Sequence, residues 1–242
     1  ELRERFDEEC DYTREAASQE FFRTAFAGDA RIHIPATIAE RTRSTVLTSA
    51  WCQGDDFYTF ASAADDGRRN TVGLLLAHFA YRSLFGLGTL NADPHPGNYL
   101  FPADHRTVFL DFGCVRRFEP EFLRRHQRLA RVVIDNDRLH FRDALHETGM
   151  VAVERGFDYD LHWQLLCHEH APYRSPRFQF TTEYLQAGLA FSKPTNPNLR
   201  RLAIPPQWVW VERLQWGLHA VLARLRAEGP FAEVFRTALD GG

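Results

Sequence analysis

Apolar positions recur every three to four residues at Leu2, Phe6, Cys10, Thr13, Ala17 and Phe21, which predicts one long helix over residues 2–27. Asp11 and Glu15, four apart, fall on one face of it. The runs "RIHIPATIAE" and "STVLTSAW" are rich in β-formers and predict an antiparallel pair of strands, after which "CQGDD" breaks the pattern. A helix follows at "RNTVGLLLAHFAYRSLFG", closed by Gly86 and Gly88. Then "YLF" and "TVFL" flank the polar "PADHR" and predict a hairpin. The remainder reads as helices at "PEFLRRHQRLARVVIDND", "RLHFRDALHETG", "DLHWQLLCHEHA" and "PQWVWVERLQWGLHAVLARLRAEG". No internal repeat or low-complexity linker divides the chain, and the order of elements is that of an α+β protein.

Composition narrows the function classes. At 242 residues the chain can bury its own core without disulfide staples. The formal charge is -3 and arginines are scattered among acids, so no concentrated basic face offers itself to nucleic acid. Cys10, Cys52, Cys114 and Cys167 form no CxxC pair, which suits reduced thiols and a cytoplasmic setting. No apolar run approaches the roughly 20 residues that span a bilayer, and peripheral contact at the inner membrane stays open. The chain opens on Glu1 in what reads as a helix already under way, so it is expected to be part of a longer gene product. Lys193 is the one lysine in the sequence.

The chemistry concentrates in "LNADPHPGNYLFPADHRTVFLDFG". Proline and glycine make the first part a tight loop, and the hairpin that follows is expected to return Asp111 beside Asp93 and Asn98. Carboxylates and an amide oxygen are hard ligands, suited to Mg²⁺ held jointly with substrate phosphates. The Asp93-to-Asn98 interval matches the D-x-x-x-x-N of kinase catalytic loops, and "DFG" follows. In that arrangement Asp93 positions or deprotonates the attacking group, while Asn98 and Asp111 hold the metal. Each piece alone is weak, since Asp-Pro is commonly just a turn, but their order gives them joint meaning.

The stretches "EECDYTREA", "NADPHPGN" and "FLDFG" resemble the UbiB/AarF family of atypical, protein-kinase-like proteins, which includes the mitochondrial coenzyme Q kinase-like proteins. The resemblance implies a protein-kinase-like α+β fold, with residues 1–54 the remnant of a small lobe and 55–242 a complete, mainly helical large lobe. It implies ATP and Mg²⁺ as cofactors and an ATPase or a small-molecule or lipid kinase linked to isoprenoid quinone metabolism. Glu9 and Asp11 would form the family's E-x-D motif, and Glu15 the helix glutamate that pairs with a nucleotide-binding lysine. Ser49, Ala50, Trp51 and Cys52 would form the hinge bordering adenine, with Asp93, Asn98 and Asp111 in the roles given above.

The sequence departs from the family pattern in three places. Asn91 stands where the bacterial motif usually has His, and Ala50 where the hinge often has Glu. The family's K-x-G-Q motif, Ala-rich loop and nucleotide-binding lysine lie upstream of the opening helix and are not in this chain. An N-terminal segment of the same protein is therefore an expected partner, and residues 1–242 alone are expected to be inactive. Lys193, in the helical half, is a poor substitute.

Other features take plainer readings. Cys167, His168 and His170 in "CHEHAPYR" lack a second matching pair and are not nominated for zinc. Trp208, Trp210 and Trp216 are expected to pack the last helix, and Arg116 and Arg117 to be solvated. After Gly113 the chain enters a helix almost at once, leaving no platform for a protein substrate and favouring a small-molecule or lipid acceptor. Two rival readings remain open: a nucleotide-binding scaffold without turnover, and a phosphotransferase of the aminoglycoside or choline type.

Overall fold

The computed structural model describes residues 11–241. The chain folds as two compact units, one formed by Glu1–Asp65 with Asn91–Arg116 and the other by Asp66–Leu90 with Arg117–Gly242.

In the first unit, α1 spans Tyr12–Ala25. Asp11 is its N-cap, with φ -93° and ψ 95°, and accepts from the Thr13 amide at 3.0 Å and the Thr13 hydroxyl at 2.6 Å. Within the described residues this corrects the helix expected over residues 2–27, which is broken at Asp11 and ends at Ala25, and residues 2–10 lie outside them. A side chain that captures the first-turn donors needs extended backbone at its own position, so the helix starts at Tyr12. Asp11 is thus a cap and not a member of a helical face shared with Glu15. The buried Phe22 of α1 packs at 5.2 Å, ring to ring, on Phe112, and Gln19 Nε2 donates to the Pro35 carbonyl at 2.6 Å. One apolar and one polar tie thereby fix the helix against the chain on either side of the motif.

The sheet of this unit has the order β1-β5-β4-β2, from β1 (Ile32–His33), β2 (Asp55–Asp56), β4 (Tyr99–Phe101) and β5 (Thr107–Phe109). The short β3 (Thr89–Asn91) and β6 (Val115–Arg117) stand where the chain passes from one unit to the other. The hairpin expected from "YLF" and "TVFL" is β4–β5, antiparallel with Tyr99 opposite Phe109. β1 joins β5 in parallel. The antiparallel pair expected between residues 31–40 and 44–51 is narrower than the sequence suggested. It consists of isolated bridges Thr37–Ser49 and Arg43–Val46, because a 3₁₀ turn at Ala39–Arg41 interrupts it. Gly54 lets β2 close on β4, since a Cβ there would lie 2.8 Å from the Pro102 nitrogen. The segment "CQGDD" ends in a cap, Asp56, whose carboxylate takes the amides of Tyr58 and Thr59 and starts α2 (Phe57–Ala63), a helix the periodicity had not revealed.

The second unit is helical. Its core is α3 (Asp66–Tyr81), prolonged by a wider turn at Arg82–Gly86. Around it come α4 (Pro120–Ile134), α5 (Phe141–Glu147), α6 (Tyr159–Glu169), α7 (Ala171–Arg174), α8 (Thr182–Gly188), α9 (Pro206–Leu225) and α10 (Phe231–Leu239). A β7–β8 pair (Phe178–Gln179 with Glu228–Gly229) joins two of the loops. Tyr173 stacks on Phe235 at 4.1 Å and its hydroxyl meets His219 Nε2 at 2.7 Å, so α7, α9 and α10 share one buried centre. Trp208 is buried against Phe122 and His126, as expected of a packing tryptophan. The helix that carries it is followed by α10, so it does not end the fold. Cys52, Cys114 and Cys167 take part in no disulfide, and Cys10 lies outside the described residues.

Candidate functional site

The loop after β3 is held by its own backbone: His95 N–H donates to the Asp93 carbonyl at 2.8 Å, and Asn98 N–H to the His95 carbonyl at 3.0 Å. His95 Nδ1 accepts from Gly97 N–H at 3.0 Å, which tightens the Pro96–Asn98 turn. Asn98 turns its amide nitrogen inward, donating to the Asp93 carbonyl at 2.9 Å and lying 3.4 Å from Asp93 Oδ2. That orientation leaves the Asn98 amide oxygen as the atom able to serve as a ligand.

Asp111 reaches the same place from β5. Leu110 N–H donates to the Asn98 carbonyl at 3.0 Å, and Asp111 Oδ1 accepts from Gly113 N–H at 2.8 Å. The link between loop and DFG turn is Asn91, which the sequence marked as a mild departure without assigning it a task. Its Nδ2 donates to the Asp111 carbonyl at 2.6 Å and its Oδ1 lies 3.4 Å from Asp93 N. Tyr99 was also missed. Burial, and then the charge of Asp93, pushes its phenol well above the usual range, so a neutral hydroxyl underlies the Asp93 carboxylate.

Glu15 completes the arrangement from α1. A Cβ on Gly113 would lie 3.3 Å from Glu15 Oε2 and 3.4 Å from Asp111 Oδ1, so the glycine is what allows the two carboxylates to approach the turn from both sides. Phe112 N–H donates to Glu15, but burial and the neighbouring Asp111 charge together hold the Glu15 carboxyl above its ordinary value. Among the described residues no cation pairs with Glu15. The structure thus brings Glu15, Asp93, Asn98 and Asp111 into one unit. Glu9 lies outside the described residues. Asp11 is occupied as a cap, which lowers its carboxyl through the Thr13 hydrogen bonds.

The segment read as a hinge runs in extended irregular backbone beside residues 36–38. Ala50 N–H donates to the Ala36 carbonyl at 2.8 Å, Ser49 bridges Thr37, and the Cys52 thiol lies 3.9 Å from the Ala50 carbonyl. Trp51 is 92% exposed. Lys193 is exposed and belongs to the second unit. Among the described residues no cluster of three or more His, Cys, Asp or Glu could hold a metal unaided.

A family model, the ABC1 atypical kinase-like domain, matches residues 1–144, more than half of the chain. The chain belongs to that family. Relatives of the ABC1 domain include rat "Atypical kinase COQ8B, mitochondrial", 31% identical over 54% of this chain and 25% of its own length. Saccharomyces cerevisiae "Atypical kinase COQ8, mitochondrial" is 21% identical over 94% of this chain and 46% of its own. The chain therefore spans less than half of these relatives. Mycobacterium tuberculosis Rv3197, solved in a complex with erythromycin, superposes with a TM-score of 0.84 over 99% of this chain and 60% of its own, at 23% identity. That likeness shows the fold, which is kinase-like and α+β. No helix among the described residues is long and apolar enough to cross a membrane.

Proposed function

We propose that in the intact protein this ABC1-type chain supplies the carboxylate and amide side of a Mg-ATP site, and that the site hydrolyses ATP or passes its terminal phosphoryl group to a small-molecule or lipid acceptor. The observation that carries the reading is the meeting of the Glu15 and Asp111 carboxyl groups at Gly113, beside Asn98 and Asp93. Mg²⁺ is usually held by one or two carboxylates and by phosphate oxygens rather than by a full protein cage. Asp111 and the outward amide oxygen of Asn98 are such a donor set, and a larger acidic cluster is not required. When bound, the ion neutralises charge on the phosphate oxygens.

The chain's own residues would do the rest. Asp93, with its backbone carbonyl fixed by Asn98 Nδ2, orients the acceptor hydroxyl or water and takes up its proton. Asn91 holds the Asp111 backbone in register with the loop. Glu15 would receive a cation from outside the described residues, which would draw its raised carboxyl back to the ionised form. α4 starts at Pro120, soon after Gly113, so no long segment offers a docking platform for a protein substrate. The names of the COQ8 relatives favour an acceptor or effector in isoprenoid quinone metabolism, and peripheral residence at the membrane that holds such quinones belongs to the same reading.

The test is phosphate release from Mg-ATP by the full-length protein and by its Asp93→Asn variant. Turnover that depends on Asp93 supports the reading. ATP binding with no Asp93-dependent turnover would make the protein a nucleotide-binding scaffold instead.

A further inference from the structure

Within the second unit, α4, α6 and α9 enclose a cavity of about 330 Å³ that plays no part in the site above. Its walls are largely apolar, formed by Leu129, Met150, Leu166, Phe191, Trp208 and Val211. Leu199 and Ile204 also line it and are 47% and 54% exposed, so it opens to solvent on that side. Into this apolar space the chain places two acids, Glu169 from α6 and Glu212 from α9.

Glu169 is only 6% exposed, and no described residue donates a hydrogen bond to its carboxylate. The amides that line the cavity are committed elsewhere. Gln215 Nε2 donates to the backbone carbonyl of Glu169 at 3.1 Å, and Asn196 Nδ2 to the Phe191 carbonyl at 2.7 Å. Glu212 has the Trp216 side chain as its hydrogen-bond donor. No Lys or Arg is among the cavity's lining residues, and the histidines there are kept neutral by burial, His126 down to about 3 and His162 and His170 to about 4. Burial holds both glutamates above the ordinary carboxylate range, and for Glu169 the neighbouring Glu212 charge adds to it.

A buried carboxyl without a donor is costly, and two facing the same space are more so. A neutral lipid would cover them without pairing them. An anionic ligand would add a like charge. A bare metal ion would exchange its hydration shell for leucine side chains, and no described cluster could hold it. We infer that this cavity is a binding site for a hydrophobic amine, with an apolar body against the leucine and tryptophan walls and a protonated nitrogen between Glu169 and Glu212. Occupancy would tie α6 to α9 through a shared cation, and the ligand's nitrogen would supply the donors that Glu169 lacks.

The experiment is calorimetry on the intact protein at neutral pH with three probes of one shape: 1-adamantylamine, 1-adamantanol and adamantane-1-carboxylate. The amine should bind at least about tenfold more tightly than the alcohol, and the carboxylate most weakly, as expected where a buried charge finds its partner. Glu169→Gln and Glu212→Gln should each cost about tenfold in amine affinity while leaving the alcohol within about twofold. Removing one of two like buried charges does not threaten folding, and thermal unfolding of each variant verifies this. Equal binding of the three probes would overturn the proposal. So would an amine preference that survives both Gln variants, or no amine binding by protein shown to be folded.

Discussion

Each unit of the chain holds a pair of carboxyl groups, and their surroundings differ. In the first unit Glu15 and Asp111 meet at a turn, where Phe112 N–H serves Glu15 and Gly113 N–H serves Asp111. In the second, Glu169 and Glu212 meet in an apolar cavity, where the Trp216 side chain serves Glu212 and Glu169 has no donor among the described residues. Backbone donors favour the ionised form and burial opposes it. In the first pair each carboxyl has a backbone donor to set against burial, whereas in the second Glu212 has only a side-chain donor and burial raises both glutamates. Proximity of two acids is not by itself a functional signal. What separates the pairs is the supply of N–H groups, which follows from backbone geometry at the DFG turn and from its absence along the cavity wall.

The comparison breaks most sharply at Asp93. Replacing it with Asn keeps the loop's shape but removes the acceptor for a proton, so turnover of the full-length protein should fall by about 10²–10⁴-fold, with Mg-ATP affinity nearly unchanged. Steady-state phosphate release beside calorimetric binding checks both halves. Loss of affinity equal to loss of rate would mean that Asp93 holds the loop together instead. The Asp111→Asn substitution should act oppositely, weakening Mg-ATP binding by about a hundredfold through loss of the charge on the ion. An unchanged dissociation constant in the presence of Mg²⁺ would remove Asp111 from the metal set.

How far the sequence carried this picture depends on the range of each interaction. The Asp93–Asn98 loop, the β4–β5 hairpin and the DFG turn are local patterns in which Pro, Gly and alternating apolar residues dictate the backbone, and they were legible. The helices α4 and α9 were legible from period alone. Asn91 was seen as an oddity, but its bond to the Asp111 carbonyl crosses from β3 to the end of the hairpin, and no local pattern encodes it. The parallel joining of β1 to β5 is equally long-range. Asp11 misled because helical spacing hides a cap: the apolar period runs through a position whose side chain instead starts the helix at Tyr12. Short α8 and α10 were overlooked, and with α8 the Gly188 edge of the cavity. Glu169 lies inside "CHEHAPYR", where nothing in the local pattern marks it for burial against a cavity.

The second pair can be read through pH. Burial pushes Glu212 up to about 7 and raises Glu169 as well, so the folded state binds more protons than the unfolded state from about pH 4.5 upward, and this contribution to stability is lost as pH rises toward 7. The buried histidines act in the opposite sense. His126 and His219, lowered to about 3, keep the unfolded state the better proton binder below its ordinary 6.5, so their contribution is lost as pH falls below that value. In the double variant Glu169→Gln with Glu212→Gln, the loss on the alkaline side should disappear. Its stability advantage over the parent should be small at pH 5 and reach on the order of 2 kcal/mol at pH 8. Denaturant unfolding followed by tryptophan fluorescence at a series of pH values measures it. An advantage independent of pH would show that the pair does not gain protons on folding.

The finest distinction lies in Asn91, whose side chain couples the loop to the DFG turn without touching any reacting group. Asn91→Ala removes the bond to the Asp111 carbonyl and the weaker approach to Asp93 N, and a partly buried carbonyl is left to find water. The expected cost is about 1 kcal/mol of stability. Its effect on the reaction separates a positioning role from mere support. If Asn91 holds Asp111 and Asp93 in register, kcat should fall by about three- to tenfold while KM for ATP changes less, because misplacement acts on the attacking geometry more than on nucleotide binding. Asn91→His, which can present a ring N–H to the same carbonyl, should recover much of the lost rate. If the alanine variant loses stability with kcat unchanged, or if the histidine variant recovers nothing, then the loop and the turn are aligned by their backbone bonds alone, and Asn91 is no more than a local strut.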